Sequence, residues 1–249
     1  MFLWIRERAQ PQQLPPGESY LSLAFKRLRH TVRAVRSFRE FVKFIIAFLI
    51  YNDGILMALD FAAILGAVLF GMEQQELIIF MIIVQLASVA GAWLFGLVAS
   101  DFGGKRSLIV SLLLTAVPVI WLYFTRSRLA FYVIGALAGF ALTGVQSVSR
   151  TLVGMFSPPG KSAEFYGLFA VVGRTSSFIG PTLFGVLAHW ATQRSEARGL
   201  VTELAEQQGH RVALFSILAF LLVGFVLLLL VNEERARAAA RAAGEQPAA

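Results

Sequence analysis

The chain has 249 residues, 57% hydrophobic and 15% charged, with a formal net charge of +7 and 0 Cys. Soluble domains carry about 25% charged residues, so an ordinary water-soluble globule is excluded, and so are disulfides and thiolate metal sites. The positive charge sits beside apolar runs, as in proteins that obey the positive-inside rule, which argues against nucleic acid as a partner.

The apolar run Met1-Phe2-Leu3-Trp4-Ile5 is too short for the core of a secretory signal. Residues 6–19 follow as a polar linker with Pro11, Pro15 and Pro16, so 1–19 form a leading segment. Over 20–40, Leu21, Phe25, Leu28, Val32 and Val35 recur at helical spacing, with Lys26, Arg27, Arg29, Arg33 and Arg36 between them. That pattern predicts a basic amphipathic helix lying on an anionic cytoplasmic leaflet.

Residues 41–231 hold six membrane-length apolar stretches, about 41–69, 77–99, 107–124, 129–153, 165–191 and 212–231. The expected fold is an all-α integral membrane bundle of six transmembrane helices. The first stretch is too long for a hydrocarbon core of about 30 Å. It must tilt, bend near Gly54, or project beyond the membrane. Inside it lies Tyr51-Asn52-Asp53-Gly54. A carboxylate at mid-span costs about 2.5–3.5 kcal/mol on insertion scales, so Asp53 is a candidate for a cavity-facing proton or substrate site. A structural hydrogen bond to a neighbouring helix is the alternative. Asp60, two turns on, is a second candidate, or else an outer-rim residue. Tyr51 and Asn52 flank the acid as substrate-cavity candidates.

Gln85 in the second stretch and Gln146 in the fourth are further cavity candidates, or interhelical glue. The spacing Gly135-Ala-Leu-Ala-Gly139 fits close helix packing in lipid. Ser157-Pro-Pro-Gly-Lys161 marks a turn, and Arg150 just before it reads as an inner-boundary anchor or gate. Arg174, roughly 14 Å into the fifth span, needs a partner there; an ion pair with Asp53 and a substrate carboxylate are both open. Gly180-Pro181 offers a kink. The tail, 232–249, is Ala/Arg-rich and expected to fray.

Most lysines and arginines fall in the N-terminal arm, the 103–106 and 150–161 loops and the tail. Both termini are therefore predicted to be cytoplasmic. No HExxH or P-loop pattern occurs, and His30, His189 and His210 are scattered, so no enzyme, metal or cofactor is expected.

The segment Gly96-Leu-Val-Ala-Ser-Asp-Phe-Gly-Gly-Lys-Arg106 resembles the signature between the second and third helices of each half of the major facilitator superfamily. Gly96, Gly103, Lys105 and Arg106 fit it; Ser100 takes the acidic position and Asp101 the place of an arginine. Phe48-Leu-Ile-Tyr-Asn-Asp-Gly54, Gly144-Val-Gln-Ser-Val-Ser-Arg150 and Ala163-Glu-Phe-Tyr-Gly-Leu-Phe169 resemble blocks of its vacuole-effluxer-like branch. The resemblance spans about 20–232 and corresponds to the C-terminal six-helix half.

It implies a secondary transporter that moves small solutes by alternating access between two halves, with the gating loop at 96–106 and Arg150. Amino acids, as in fungal members, and proton coupling are the implied chemistry. The implied partners are the lipid bilayer, a small-molecule substrate, and a missing N-terminal half or a second copy. The implied location is a bacterial inner membrane. The competing class is a membrane interaction or scaffold protein without transport.

Overall fold

The computed structural model describes residues 35–175 and 178–245, with the backbone alone described at 98–102 and 245. The expected amphipathic helix lies mostly outside the described residues, as does the leading segment. Among the described residues there are nine helices: α1 (Arg39–Asp60), α2 (Ala62–Phe70), α3 (Gln74–Phe102), α4 (Gly104–Phe124), α5 (Arg128–Phe156), α6 (Ser162–Thr175), α7 (Ile179–Glu196), α8 (Thr202–Leu229) and α9 (Glu233–Glu245). Six stretches are long and apolar enough to cross a membrane, with α6 and α7 together forming the fifth. The first is α1, continued by α2.

The long first stretch does not bend at Gly54. That glycine faces α8, where an added Cβ would stand 3.1 Å from Phe220 Cβ and 3.3 Å from the Ile217 carbonyl oxygen. It serves close helix approach, which leaves no slack for a bend. The discontinuity comes at Phe61 instead. It is slight, because Phe61 N–H still donates to Met57 O and Leu65 N–H to Phe61 O. α2 then stops at Gly71, whose φ of +58° is the left-handed geometry that closes helix ends. Gly180-Pro181 sits in the first turn of α7, where a missing N–H costs nothing.

Glycine also sets the α3–α5 contact. Gly135 lies under the Phe80 ring and Gly144 under Phe95. At Gly139 a Cβ would come within 2.6 Å of the Val84 carbonyl oxygen. In lipid, helices associate through packing of this kind rather than through a hydrophobic drive between them. α7 packs on α8, α8 on α1, and α4 on α5. α3 makes its one extensive face with α5. Only 11% of its most apolar stretch is buried, against 50% for α1, and Ile78, Ile82, Leu86, Val89 and Trp93 stay exposed.

The starts of α1 and α4 and the end of α8 meet at one end of the bundle, and α9 closes it. Over Glu233–Glu245 the tail forms a helix packed on the bundle, where fraying was expected; residues 246–249 lie outside the described residues. Ala236 and Ala240, four apart, form a buried stripe, and Gly244 lies against Pro159. Alanine is the best helix former, and at this spacing its methyls present one small apolar face. At the opposite end, Arg128 reaches Glu76 and the Gly71 carbonyl, tying α5 to the turn between α2 and α3.

Candidate functional site

A cleft of about 450 Å³ opens between α1, α5 and α6. α1 contributes Phe48, Asn52 and Leu56, α5 contributes Gln146 and Arg150, and α6 contributes Tyr166, Phe169, Gly173 and Arg174. The spacing explains the convergence. Residues 48, 52 and 56 are four apart, as are 146 and 150, so each set shares a helix face. At 1.5 Å per residue, Asn52 stands roughly 20 Å from the start of α1 and Gln146 roughly 15 Å from the end of α5, deep within the spans.

Aromatic packing seats α6. Phe165 lies against Phe41 at 4.5 Å and Phe38 at 5.3 Å, and Phe169 stacks on Phe48 at 4.1 Å. Two hydrogen bonds fix its rotation: Tyr166 OH donates to the Arg150 carbonyl at 2.9 Å, and Asn52 Nδ2 donates to the Gly173 carbonyl at 3.2 Å. Gly173 allows that approach, since a Cβ there would be 3.1 Å from the Phe48 ring. The ionic lining consists of two guanidinium groups, Arg150 and Arg174, both exposed. An aromatic wall, two side-chain amides and two cations suit a small solute with an anionic group and an apolar portion.

The structure thus gathers Asn52, Gln146, Arg150 and Arg174. Tyr51 lies behind the cleft wall, fully buried, and its hydroxyl meets Ser149. Asp53 is buried at 1% exposure and its carbonyl lies against Gly180 of α7; it is not part of the cleft lining. Asp60 is exposed at the end of α1. Gln85 is exposed on α3, away from the cleft. Tyr166, Phe48 and Phe169 were absent from the sequence-based candidates. Their signal was the aromatic pair Tyr166 and Phe169, three apart on α6, with Phe48 one turn before Asn52 on α1.

The loop expected to gate lies at the end closed by α9. Gly96 and Arg106 are exposed, and the side chain of Asp101 falls outside the described residues. Gly103 adopts φ +90° at the junction of α3 and α4. Lys105 donates from Nζ to the Leu229 and Val231 carbonyls at 2.9 and 2.7 Å, capping the end of α8. Glu233 of α9 accepts the Lys105 N–H at 2.9 Å and the Gly104 N–H at 3.3 Å, capping the start of α4. Glu233 also pairs with Arg237. Sequence reasoning missed Glu233, because an acid in an Arg-rich tail looks like an ordinary solvated charge.

Residues 1–241 match the family model described as vacuole effluxer, Atg22-like. The chain belongs to that family. The Atg22-like effluxers are transporters, and this one is an integral membrane protein, as the apolar spans and the branch resemblance led one to expect. An MFS-type transporter of Bacillus subtilis, YxiO, itself uncharacterised, is 26% identical over 211 residues, covering 85% of this chain and 45% of the relative. Autophagy-related protein 22-1 of Penicillium rubens is 27% identical over 266 residues, covering 98% of this chain and 42% of the relative. The chain therefore spans less than half the length of these two curated relatives. Its fold resembles the crystal structure of a bacterial homologue of the human lysosomal transporter Spinster, inward-facing and unoccupied. The TM-score is 0.71 at 17% identity, over 99% of this chain and 57% of that one.

Proposed function

We propose that this chain forms one wall of a secondary transporter that moves small carboxylate-bearing solutes, amino acids among them, by alternating access. The observation that carries the reading is the convergence of Asn52, Gln146, Arg150 and Arg174 on one mid-span cleft between α1, α5 and α6. Guanidinium groups in a low-dielectric setting bind carboxylates through charge-assisted, often bidentate hydrogen bonds. The chain leaves this cleft open on one side. A second six-helix half, or a second copy, completes the pathway and covers the exposed apolar face of α3. In this reading Asp53, buried beside the cleft wall, carries the coupled proton. The Lys/Arg-rich end closed by α9 faces the cytoplasm, placing both termini there, and for a bacterial chain the membrane is the inner one.

The test is uptake of labelled amino acids by liposomes holding the complete protein, with and without a pH gradient. Arg174→Gln is expected to raise KM for carboxylate solutes about tenfold, the equivalent of about 1.4 kcal/mol. Asp53→Asn is expected to remove the dependence on the gradient. Unchanged KM in the first variant would take Arg174 out of substrate binding. Unchanged gradient dependence in the second would take Asp53 out of coupling. If no labelled solute moves in any condition, the non-transporting interaction role stands instead.

A further inference from the structure

At the end of the bundle away from α9, a second cleft of about 640 Å³ lies where α2 and α4 finish and α8 begins. α8 lines it with Leu204, Gln207, Gln208 and Arg211, the i, i+3, i+4, i+7 positions of one stripe. At about 100° per residue, Glu206 falls on the opposite face of α8 and Glu203 about 90° from the stripe, and among the described residues no carboxylate lines the cleft.

Arg211 is held rigidly. Its Nη1 donates to the Tyr123 carbonyl at 2.6 Å and the Leu122 carbonyl at 3.1 Å, and Nη2 donates to the Thr125 carbonyl at 2.9 Å. These are the acceptors a helix end leaves without intrahelical partners. Arg126 lines the same cleft, next in sequence to the Thr125 that Arg211 holds, and close enough for the two guanidinium charges to repel. Neither forms an ion pair among the described residues.

Two like charges lining one cleft at a membrane-span terminus favour an anion there. The remaining wall selects the kind of anion. Tyr123 and Phe124 rise beside the arginines, and Phe124 is 74% exposed. A soluble anion leaves that apolar surface wet. A phosphate with acyl chains covers it, with headgroup at the arginines and chain along Phe124 and Leu204.

We propose that this cleft binds the phosphate group of an anionic phospholipid. The test is native mass spectrometry of the purified protein in neutral detergent, titrated with phosphatidylglycerol, phosphatidylcholine or glycerol 3-phosphate. Arg126→Gln is the informative variant, since Arg126, unlike Arg211, holds no helix end together. Arg198→Gln removes a charge outside the cleft lining and serves as the control. The wild type is expected to retain one phosphatidylglycerol that phosphatidylcholine does not replace. Arg126→Gln should hold it about fivefold more weakly, the loss expected of one cation at an anionic surface, and Arg198→Gln should hold it unchanged. Equal retention of the two lipids, or equal weakening in the two variants, overturns the proposal. Glycerol 3-phosphate binding as tightly as the lipid overturns it in favour of a soluble phosphate.

Discussion

The hydroxyls of Tyr51 and Ser149 meet at 2.7 Å in the buried contact between α1 and α5. Ser149 Oγ also donates to the Val145 carbonyl at 2.7 Å, so its single proton is committed there and the Tyr51 hydroxyl is the donor in the pair. The bond lies directly behind the cleft, one residue from Asn52 on α1 and one from Arg150 on α5. It therefore sets the distance between two cleft walls.

Tyr51→Phe keeps the ring and removes the donor. Hydrogen bonds between membrane helices average about 0.6 kcal/mol, and buried ones in soluble proteins about 1 kcal/mol. A loss in that range is expected, read as a small drop in the thermal unfolding midpoint in detergent. A drop as large as that for a core truncation would mean the ring, not the hydroxyl, had been disturbed.

Gly139→Val should do far more damage. Its Cβ alone would approach the Val84 carbonyl oxygen to 2.6 Å, and a backbone atom cannot move aside as a side chain can. Separating α3 from α5 is expected to cost about 1–3 kcal/mol. Fluorescence-detected size exclusion after heating gives the comparison, with Gly185→Val as the tolerant control, because nothing lies within 4 Å of a Cβ there.

Glu233→Ala removes an anionic cap from α4 and the partner of Arg237 together. A lost cap costs about 1 kcal/mol, and a charge at a helix N-terminus adds about 0.3–1 kcal/mol. Hydrogen exchange at the Lys105 amide should accelerate more than tenfold while amides in the middle of α5 keep their protection. Uniform acceleration along the chain would show a general loss of fold instead of a lost cap.

Asn52→Leu tests whether the rotation of α6 matters. It removes the donor to the Gly173 carbonyl and keeps the side-chain bulk. α6 carries one buried residue, Phe165, so beyond its aromatic contacts only the Tyr166–Arg150 hydrogen bond also resists its turning. Cysteine accessibility at position 174, in a Cys-free chain, should rise in the variant. Equal labelling rates would assign the hold on α6 to its aromatic contacts and the Tyr166–Arg150 hydrogen bond.

Much of this was legible in the sequence, for physical reasons that differ by residue. The six spans announce themselves because lipid demands length and apolarity. Gly135 and Gly139 signal close packing because nothing else tolerates it. Asn52, Gln146 and Arg174 stand out as polar groups inside apolar runs. Convergence was harder to see. Arg150 and Arg174 lie on either side of a proline-containing turn, and only the seating of α6 by Phe165 and Phe169 brings them to one cleft. A bend near Gly54 stands among the three options for the long first stretch because a glycine in isolation does not reveal the helix packed against it. The ordered α9 was hidden because its buried stripe is alanine, whose small methyls barely register in a polar tail.

The cap supplied by Glu233 has a consequence for the order of events during synthesis. Lys105 and Glu233 are 128 positions apart. At about 5–20 residues per second, roughly 6–26 s pass between the emergence of one and the other. During that interval the start of α4 sits at the membrane surface with its amides open to water, and four further helices, α5 to α8, are laid down around it. The clasp is thus a late event that seals an assembly already inserted. A chain halted before residue 233 would hold its spans while leaving that end unlatched.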